Sequence, residues 1–134
     1  MSLFGQKITL SHLEHEMIRK EFQSPLVHFA LVCGSNSCPV LRKEPYTAKN
    51  LEEQFAQQAK SFLGDQDKNW VDLKKKTVYL SPIFKWHKKD FGKSDEEILK
   101  YVADHFSEAE KNAIKSGGFR IRYTEYDWSV NSAN

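Results

Sequence analysis

The feature that most constrains this chain is an apolar run at residues 26–32, in which His28 is the only polar side chain. A run that is apolar on both faces is typical of a central strand covered on two sides, so we predict a buried strand here. After the run, from Cys33 to Tyr46, glycine, serine, asparagine and proline predict a loop of about fourteen residues. Loops of that length are often functional.

Helices and short strands follow one another without regular alternation in the rest of the chain. Capping patterns and apolar residues at helical spacing predict five helices. They cover residues 12–22, where Ser11 and Glu14 form the cap, and residues 47–63, 82–91, 95–105 and 108–115. Residues 70–80 predict a hairpin with three lysines in its turn, and residues 119–123 predict a last strand. We therefore predict an α+β fold: one domain, with a small, mainly antiparallel sheet around a central buried strand, packed with four to five helices.

Length and charge exclude several classes of protein. A chain of 134 residues with 40% hydrophobic residues is expected to form a single domain with its own core. Its formal net charge of +2 is too small to hold the whole chain on a polyanion, so nucleic acid is not an expected partner. The longest apolar run, residues 26–33, is far shorter than the roughly twenty residues of a membrane helix. No membrane span is predicted.

The two cysteines, Cys33 and Cys38, are separated by residues 34–37. This spacing is compatible with a disulfide, two free thiols or a redox pair. A thiol becomes a useful nucleophile when an imidazolium or loop amides lower its pKa from about 8.5. On a regular strand His28 and Cys33 would face opposite sides, so their contact requires a bulge or a turn near Val32. Alternatively, His28 is a hydrogen-bonded core histidine and Cys33 a small buried hydrophobe, with Cys38 the more exposed thiol.

A second informative stretch, residues 83–91, is aromatic and basic. In a helix Trp86 and Asp90 share a face, and Asp90 lies one turn from His87, close enough to orient its imidazole. The same pattern is also typical of core aromatics beside a solvated His/Asp pair. Two cysteines and five scattered histidines do not make a four-ligand zinc site, and neither a metal nor a cofactor is predicted.

Four motifs resemble those of a known family. They read Val-His-Phe-Ala-Leu-Val-Cys-Gly-Ser-Asn-Ser-Cys-Pro at 27–39, Tyr-Thr-Ala-Lys-Asn-Leu at 46–51, Ile-Phe-Lys-Trp with Asp-Phe at 83–91, and Tyr-Asp-Trp-Ser-Val-Asn at 126–131. In this order they resemble domain-of-unknown-function family number 547, which is named for the lack of an assigned activity. The resemblance places the family's characteristic polar and thiol positions at His28, Cys33, Cys38, Trp86, Asp90, Tyr126, Asp127, Trp128 and Asn131.

The resemblance carries three further expectations. Members of the family have a segment resembling Phe-Trp-Ile-Asn-x-Tyr-Asn before the first helix, so we expect that an upstream part of the family domain is missing from residues 1–134. Similar sequences often have tyrosine where this chain has His87, so His87 is not expected to be essential. Bacterial relatives often look exported, which implies an exported or periplasmic protein, although the chain shows no signal peptide.

Two main functions remain as hypotheses, beside a third possibility, a reversible dithiol switch formed by Cys33 and Cys38. The first is a thiol-dependent acyl-transfer or hydrolase-like site, in which Cys33 or Cys38 attacks a carbonyl and His28 shuttles the proton. Loop residues would hold the oxyanion, namely Gly34, Ser35, Asn36 and Ser37. Further binding residues would be Trp86, Asp90, Tyr126, Asp127, Trp128 and Asn131. The second hypothesis is a noncatalytic protein-interaction module whose cysteines are structural or form a disulfide; the partner is accordingly a small molecule or a protein.

Overall fold

Helices account for most of the regular structure in the computed structural model, which describes residues 2–3 and 5–132. The chain begins with two paired antiparallel strands, β1 (Ser2–Leu3) and β2 (Gln6–Lys7). A first helix follows, made of α1 (Leu10–His12), a π-helical stretch (Leu13–Ile18) and α2 (Arg19–Glu21). The later helices are α3 (Leu51–Leu63), α4 (Ile83–Trp86), α5 (Lys88–Phe91), α6 (Asp95–Ala103) and α7 (Glu108–Ser116).

The main sheet has three strands, in the order β3 (Trp70–Asp72), β4 (Thr77–Leu80) and β5 (Arg120–Tyr123). β3 and β4 form the predicted antiparallel hairpin, and β5 pairs parallel to β4 on its other side. The sheet is therefore mixed, because the connection through α4–α7 brings the chain back in the direction of β4. The α+β class is confirmed, and β4 is the central buried strand.

Residues 26–32, predicted as the central strand, do not form one. Pro25–Phe29 form a 3₁₀ helix, and the Ser24 hydroxyl caps it by accepting a hydrogen bond from the Leu26 N–H at 3.3 Å. Phe29 is fully buried, as the apolar pattern indicates, but a short apolar run does not distinguish a buried strand from a buried helical turn. A capping serine followed by proline favours the helical start here.

The core lies between the 3₁₀ helix, α3, β4 and α4–α6. The fully buried residues include Phe29, Leu63, Val78, Leu80, Phe84, Ile98 and Val102. The Phe29 ring lies 5.4 Å from the Phe62 ring and 5.9 Å from the Phe84 ring, measured between centroids. Gln58 Nε2 also donates a hydrogen bond to the Phe29 carbonyl at 3.2 Å. These contacts fix the residues next to His28 against α3 and α4.

Helix ends differ from the sequence prediction in three places. The first helix starts at Leu10 because Thr9, not Ser11, is its cap: the Thr9 hydroxyl accepts a hydrogen bond from the His12 N–H at 3.0 Å. α3 begins at Leu51 instead of residue 47. The predicted helix over residues 82–91 is interrupted at His87, which has φ −112° and ψ 29°.

Within the part of the chain that the structure describes, every helix is too short or too polar to cross a membrane.

Candidate functional site

The two cysteines bound a tight turn, and their sulfurs face each other. Cys33 Sγ lies 2.6 Å from Cys38 Sγ, well inside ordinary nonbonded contact, and the Cys33 N–H donates to Cys38 Sγ at 2.9 Å. Both are free thiols, with Cys33 exposed and Cys38 buried. The predicted order of exposure was therefore wrong. The reason is the turn, in which the Cys38 N–H donates to the Ser35 carbonyl at 3.1 Å and folds Cys38 inward.

Hydrogen bonds hold residues 34–37 against the tail at residues 127–131, and we call this pair of segments the loop–tail clasp. The Asn36 N–H donates to the Ser129 carbonyl at 3.0 Å. The Asn36 side-chain amide donates to Asp127 Oδ2 at 3.0 Å and to Ser129 Oγ at 2.9 Å. A loop of glycine, serine and asparagine has little apolar surface to bury, so tail groups satisfy its polar atoms instead.

The clasp uses part of the backbone that was predicted to hold an oxyanion. The N–H groups of Asn36 and Ser37 donate to tail carbonyls, at 3.0 and 3.3 Å. They are therefore engaged, and the predicted oxyanion role does not extend to them. Among residues 2–3 and 5–132, the N–H groups of Gly34 and Ser35 donate to no carbonyl. The Ser35 N–H, however, is hydrogen-bonded to the Cys33 sulfur, so the Gly34 N–H is the donor that the loop leaves for a ligand.

Polar groups surround the sulfur of Cys33. Ser35 Oγ lies 3.2 Å from it and the Tyr126 hydroxyl 3.7 Å from it. Partial burial raises the pKa of Cys33, but hydrogen bonds to the thiolate from Cys38, Ser35 and Tyr126 outweigh burial and bring this pKa down to about 7. Burial raises the pKa of Tyr126, which keeps its hydroxyl protonated as a donor. The nucleophilic thiolate is thus well populated at neutral pH.

His28 is held by a carboxylate and not by a thiol. His28 Nε2 lies 2.7 Å from Asp90 Oδ2, and Arg19 Nη2 donates to the same oxygen at 2.8 Å. Burial raises the pKa of Asp90, yet the hydrogen bonds from His28 and Arg19 lower it further than burial raises it. Burial also lowers the pKa of His28, against the effect of Asp90. Asp90 is therefore an ionised acceptor, so His28 Nε2 donates, and a neutral His28 keeps the Nδ1 lone pair for proton transfer.

His87 stacks on His28, with ring centroids 3.9 Å apart and planes 14° from parallel. The predicted pairing of Asp90 with His87 is replaced by the Asp90–His28 hydrogen bond, because the helix break at His87 places its ring on His28. Ligand atoms of the three residues lie within 4.8 Å of one another, as a metal site requires. Nearly parallel rings, however, direct their in-plane lone pairs side by side instead of towards one ion, and the Arg19 guanidinium already binds Asp90. The arrangement suits a stacked ion-pair network.

The thiols and His28 line one surface cleft of about 340 Å³, which we call the thiol cleft. The first helix, the cysteine turn, α4 and the tail all contribute residues to its walls. Its lining is mostly apolar and consists of Leu10, Leu13, Glu14, Ile18, His28, Leu31, Val32, Cys33, Cys38, Pro39, Ile83, Trp86, His87, Tyr126 and Trp128. A shared cleft therefore exists, although no hydrogen bond joins His28 to either sulfur among the described residues.

The other predicted binding residues take different places around the thiol cleft. The Trp86 ring lies 4.9 Å from the Tyr126 ring and 5.6 Å from the Trp128 ring, so these three aromatics form one cluster on the lining. Asp90 lies behind His28 and outside the lining, and Asp127 serves the clasp. The Asn131 N–H also belongs to the clasp, donating to the Gly34 carbonyl at 2.8 Å.

Sequence reasoning missed two residues of the first helix. Arg19, which binds Asp90, belongs to none of the motifs above, and Glu14, which lines the thiol cleft, was predicted only as part of the helix cap. Arg19 and Asp90 are 71 positions apart. No local pattern reports such a contact, so the sequence carried no signal for it.

Comparison with known proteins gives a family match in the N-terminal part of the chain. Residues 1–63 match the sequence model of the family described as "Protein of unknown function, DUF547". The match includes the motifs at 27–39 and 46–51 and confirms the predicted family, whereas the motifs at 83–91 and 126–131 lie outside it. No curated protein and no solved structure matches the chain.

Proposed function

We propose that this chain, which carries the DUF547 family match in residues 1–63, is a thiol-dependent acyl-transfer or hydrolase-like enzyme with Cys33 as its nucleophile. The observation that supports this is the state of Cys33: it is exposed, it has a pKa of about 7, and it lines the same cleft as His28. A thiol with this pKa ionises at neutral pH without a base in direct contact. The lack of a hydrogen bond between His28 and the sulfur is therefore compatible with nucleophilic attack.

The reaction proceeds in two steps. The Cys33 thiolate attacks the carbonyl carbon of an ester, thioester or amide and forms a carbon–sulfur bond, while the negative charge moves to the carbonyl oxygen. The N–H group of Gly34 is the donor for this oxyanion. The oxyanion then collapses, the bond to the leaving group breaks, and the leaving group takes a proton from solvent. The product is an acyl group on Cys33.

Water releases the acyl group in the second step. His28 Nδ1 accepts a proton from the water, whose oxygen attacks the acyl carbon and breaks the carbon–sulfur bond. The products are a carboxylic acid and the Cys33 thiolate. Asp90 is a positioning residue in this scheme, because its hydrogen bond to His28 Nε2 leaves Nδ1 as the acceptor.

Alkylation by iodoacetamide as a function of pH tests the nucleophile. We expect Cys33 to react with a midpoint near pH 7, as followed by intact mass. The fast reaction disappears in Cys33→Ser and shifts to higher pH in Cys38→Ala, which lacks one hydrogen bond to the thiolate. If both cysteines instead titrate near the ordinary value of about 8.5, the nucleophile assignment is wrong.

Turnover of p-nitrophenyl acetate tests the second step. In His28→Gln the acetyl group should accumulate on Cys33 and its release should slow by about a hundredfold, a typical loss for a general base. Alkylation of Cys33 should stay fast in that variant. His12→Gln is the control, since His12 is exposed and outside the thiol cleft. Equal release rates in the wild type and His28→Gln would remove His28 from the mechanism.

The alternative is a noncatalytic protein-interaction module, and one observation favours it. Trp86 is 48% exposed, Trp128 66% and Val130 77%, which is a large apolar surface beside the clasp. For this function Cys33→Ser should leave cross-linking to the partner protein unchanged, and Trp128→Ala should abolish it. The enzyme proposal predicts the reverse for acetyl transfer: Cys33→Ser should abolish it, and Trp128→Ala should affect it less.

A further inference from the structure

We infer that the thiol cleft binds an aliphatic acyl chain, so that the site acts on medium-chain acyl esters or thioesters. This inference rests on the proposed function, which requires a carbonyl at Cys33. It adds the part of the substrate that lies away from the reacting carbon.

Part of the wall of the thiol cleft is aliphatic. The first helix contributes Leu10, Leu13 and Ile18 to it, and α4 contributes Ile83. Leu10 is 74% exposed, so its side chain lines the cleft without burying most of its own apolar surface. A methylene chain lying in the cleft would cover such surfaces, and burial of apolar area is favourable without demanding directional contacts.

The charges of the lining favour a neutral ligand. Glu14 is the only acidic residue among the lining residues, and no lysine or arginine accompanies it. A free carboxylate or a phosphate would therefore meet a negative charge and no cation. The nearby lysines Lys85, Lys88 and Lys89 line a separate shallow depression, which shares only Trp86 and His87 with the thiol cleft. An ester or thioester, which has no charge at the acyl carbonyl, fits the lining better than a free fatty acid.

The size of the cleft limits the chain. Its volume of about 340 Å³ is near the lower end of small-molecule sites, which run from roughly 300 to 1,000 Å³. A volume of this size limits the acyl group to a medium number of carbons. The Trp86, Tyr126 and Trp128 rings pack on one another, so they leave no slot between them for a flat ring.

A pair of alkylating reagents tests the inference without needing turnover. N-ethyl and N-octyl iodoacetamide carry the same electrophile and differ only in their alkyl chain. Each methylene that is fully buried on binding increases the affinity about fourfold. The increase is smaller in an open cleft, because part of each methylene stays in contact with water. We therefore expect the octyl reagent to alkylate Cys33 about tenfold faster than the ethyl reagent, as measured by second-order rate constants.

Two leucines of equal exposure provide a matched pair of variants. Leu10→Glu introduces a charge on the cleft wall and should abolish the octyl preference. The preference is measured as the ratio of the octyl to the ethyl rate constant, so any effect of the new charge on the thiolate cancels. Leu41→Glu is the control, because Leu41 is 75% exposed, compared with 74% for Leu10, and lies outside the lining. Neither substitution removes a buried side chain, so both variants should fold.

The outcomes separate the two proposals. An ethyl rate with the pH profile of an ordinary thiol overturns the proposed function. A fast ethyl reaction at neutral pH with no octyl advantage overturns the acyl-chain inference alone. An octyl advantage that persists in Leu10→Glu also overturns it, because the chain would then bind somewhere other than this wall.

Discussion

The hydrophobic core and the loop–tail clasp are held together by different forces. Phe29, Phe84 and Val102 in the core are fully buried. In the clasp, Asn36 and Asp127 are exposed and joined by a hydrogen bond of 3.0 Å. Apolar burial contributes in proportion to area and has no preferred direction, whereas a hydrogen bond is directional and contributes a net 0.5–1.5 kcal/mol or so. The core therefore determines whether the chain folds, and the clasp determines where the groups around Cys33 point.

A core truncation should give the largest loss of stability. Phe84→Ala leaves a cavity between the Phe29 and Phe91 rings, now 5.9 and 4.5 Å from the Phe84 ring, and should lower the free energy of unfolding by about 3–5 kcal/mol. Chemical denaturation measures this. Trp86→Ala, in the same helix but 48% exposed, is the comparison and should cost much less. Similar losses in the two variants would contradict the division between core and surface cluster.

The stacked histidines lie between the two regions and should make stability depend on pH. Burial lowers the pKa of His87 to about 4 from 6.5, so between these values the unfolded chain binds a proton that the folded chain does not. Stability therefore falls as pH decreases from 6.5 to 4, by about 1–2 kcal/mol after allowing for solvent screening. The titratable and charged groups that act on His87 are His28, Arg19, Asp90 and His15.

His87→Phe should flatten this part of the pH profile, because phenylalanine keeps a stacking ring but takes no proton. Urea unfolding at pH 7, 5.5 and 4 measures how the free energy of unfolding depends on pH. His12→Gln is the control and should show the same pH dependence as the wild type. A wild-type slope in His87→Phe would assign the acid sensitivity to other groups, such as Asp90, whose lowered pKa also makes stability fall in acid.

Loosening the clasp should change reactivity more than stability. Asp127→Ala removes the acceptor of the Asn36 amide and of the Ser129 N–H, and should cost about 1 kcal/mol of stability. It should also slow alkylation of Cys33 several-fold at pH 7, since Ser35 and Tyr126 lose their fixed positions. Asp95→Ala, which breaks a surface ion pair with Lys88, should leave the alkylation rate unchanged. A clasp that does not position Cys33 would give equal rates in both variants.

The smallest effect is expected from a single hydroxyl. Tyr126→Phe keeps the ring against Trp86 and Trp128 but removes the oxygen 3.7 Å from Cys33 Sγ. The pKa of Cys33 should rise by less than about one unit, which corresponds to less than about 1.4 kcal/mol. The alkylation–pH curve measures it, and a Tyr79→Phe variant, far from the thiol cleft, is the control. A downward shift would mean that Tyr126 does not stabilise the thiolate.

Elements that depend on neighbouring residues were predictable from the sequence. The Ser107–Glu110 capping box is present at the start of α7, and the hairpin of β3 and β4 forms around its lysine turn. Both depend on contacts within a few positions, so local patterns report them. Residues 26–32 show the limit: their burial was predicted, but their helical backbone was not, because burial alone is compatible with both conformations.

The sequence predicted which residues belong to the candidate site, but it did not predict the contacts between them. The sequence pointed to His28, Cys33 and Cys38, all of which line one cleft. It did not predict that His28 would bind Asp90, which is 62 positions away, or that Cys33 would be the exposed thiol. Contacts of that separation arise only when distant elements pack, so no spacing rule contains them.

By itself, the sequence determined the α+β class, most of the helices, the hairpin and the family resemblance, since each follows from residues close together along the chain or from motifs read in order. The tertiary structure alone decided that β5 lies parallel to β4, that Cys33 lies at the surface with Cys38 beneath it, and that Arg19 and Asp90 hold His28. These outcomes depend on how the core brings remote segments together, and the reactivity of a thiol depends on the groups that reach it through space.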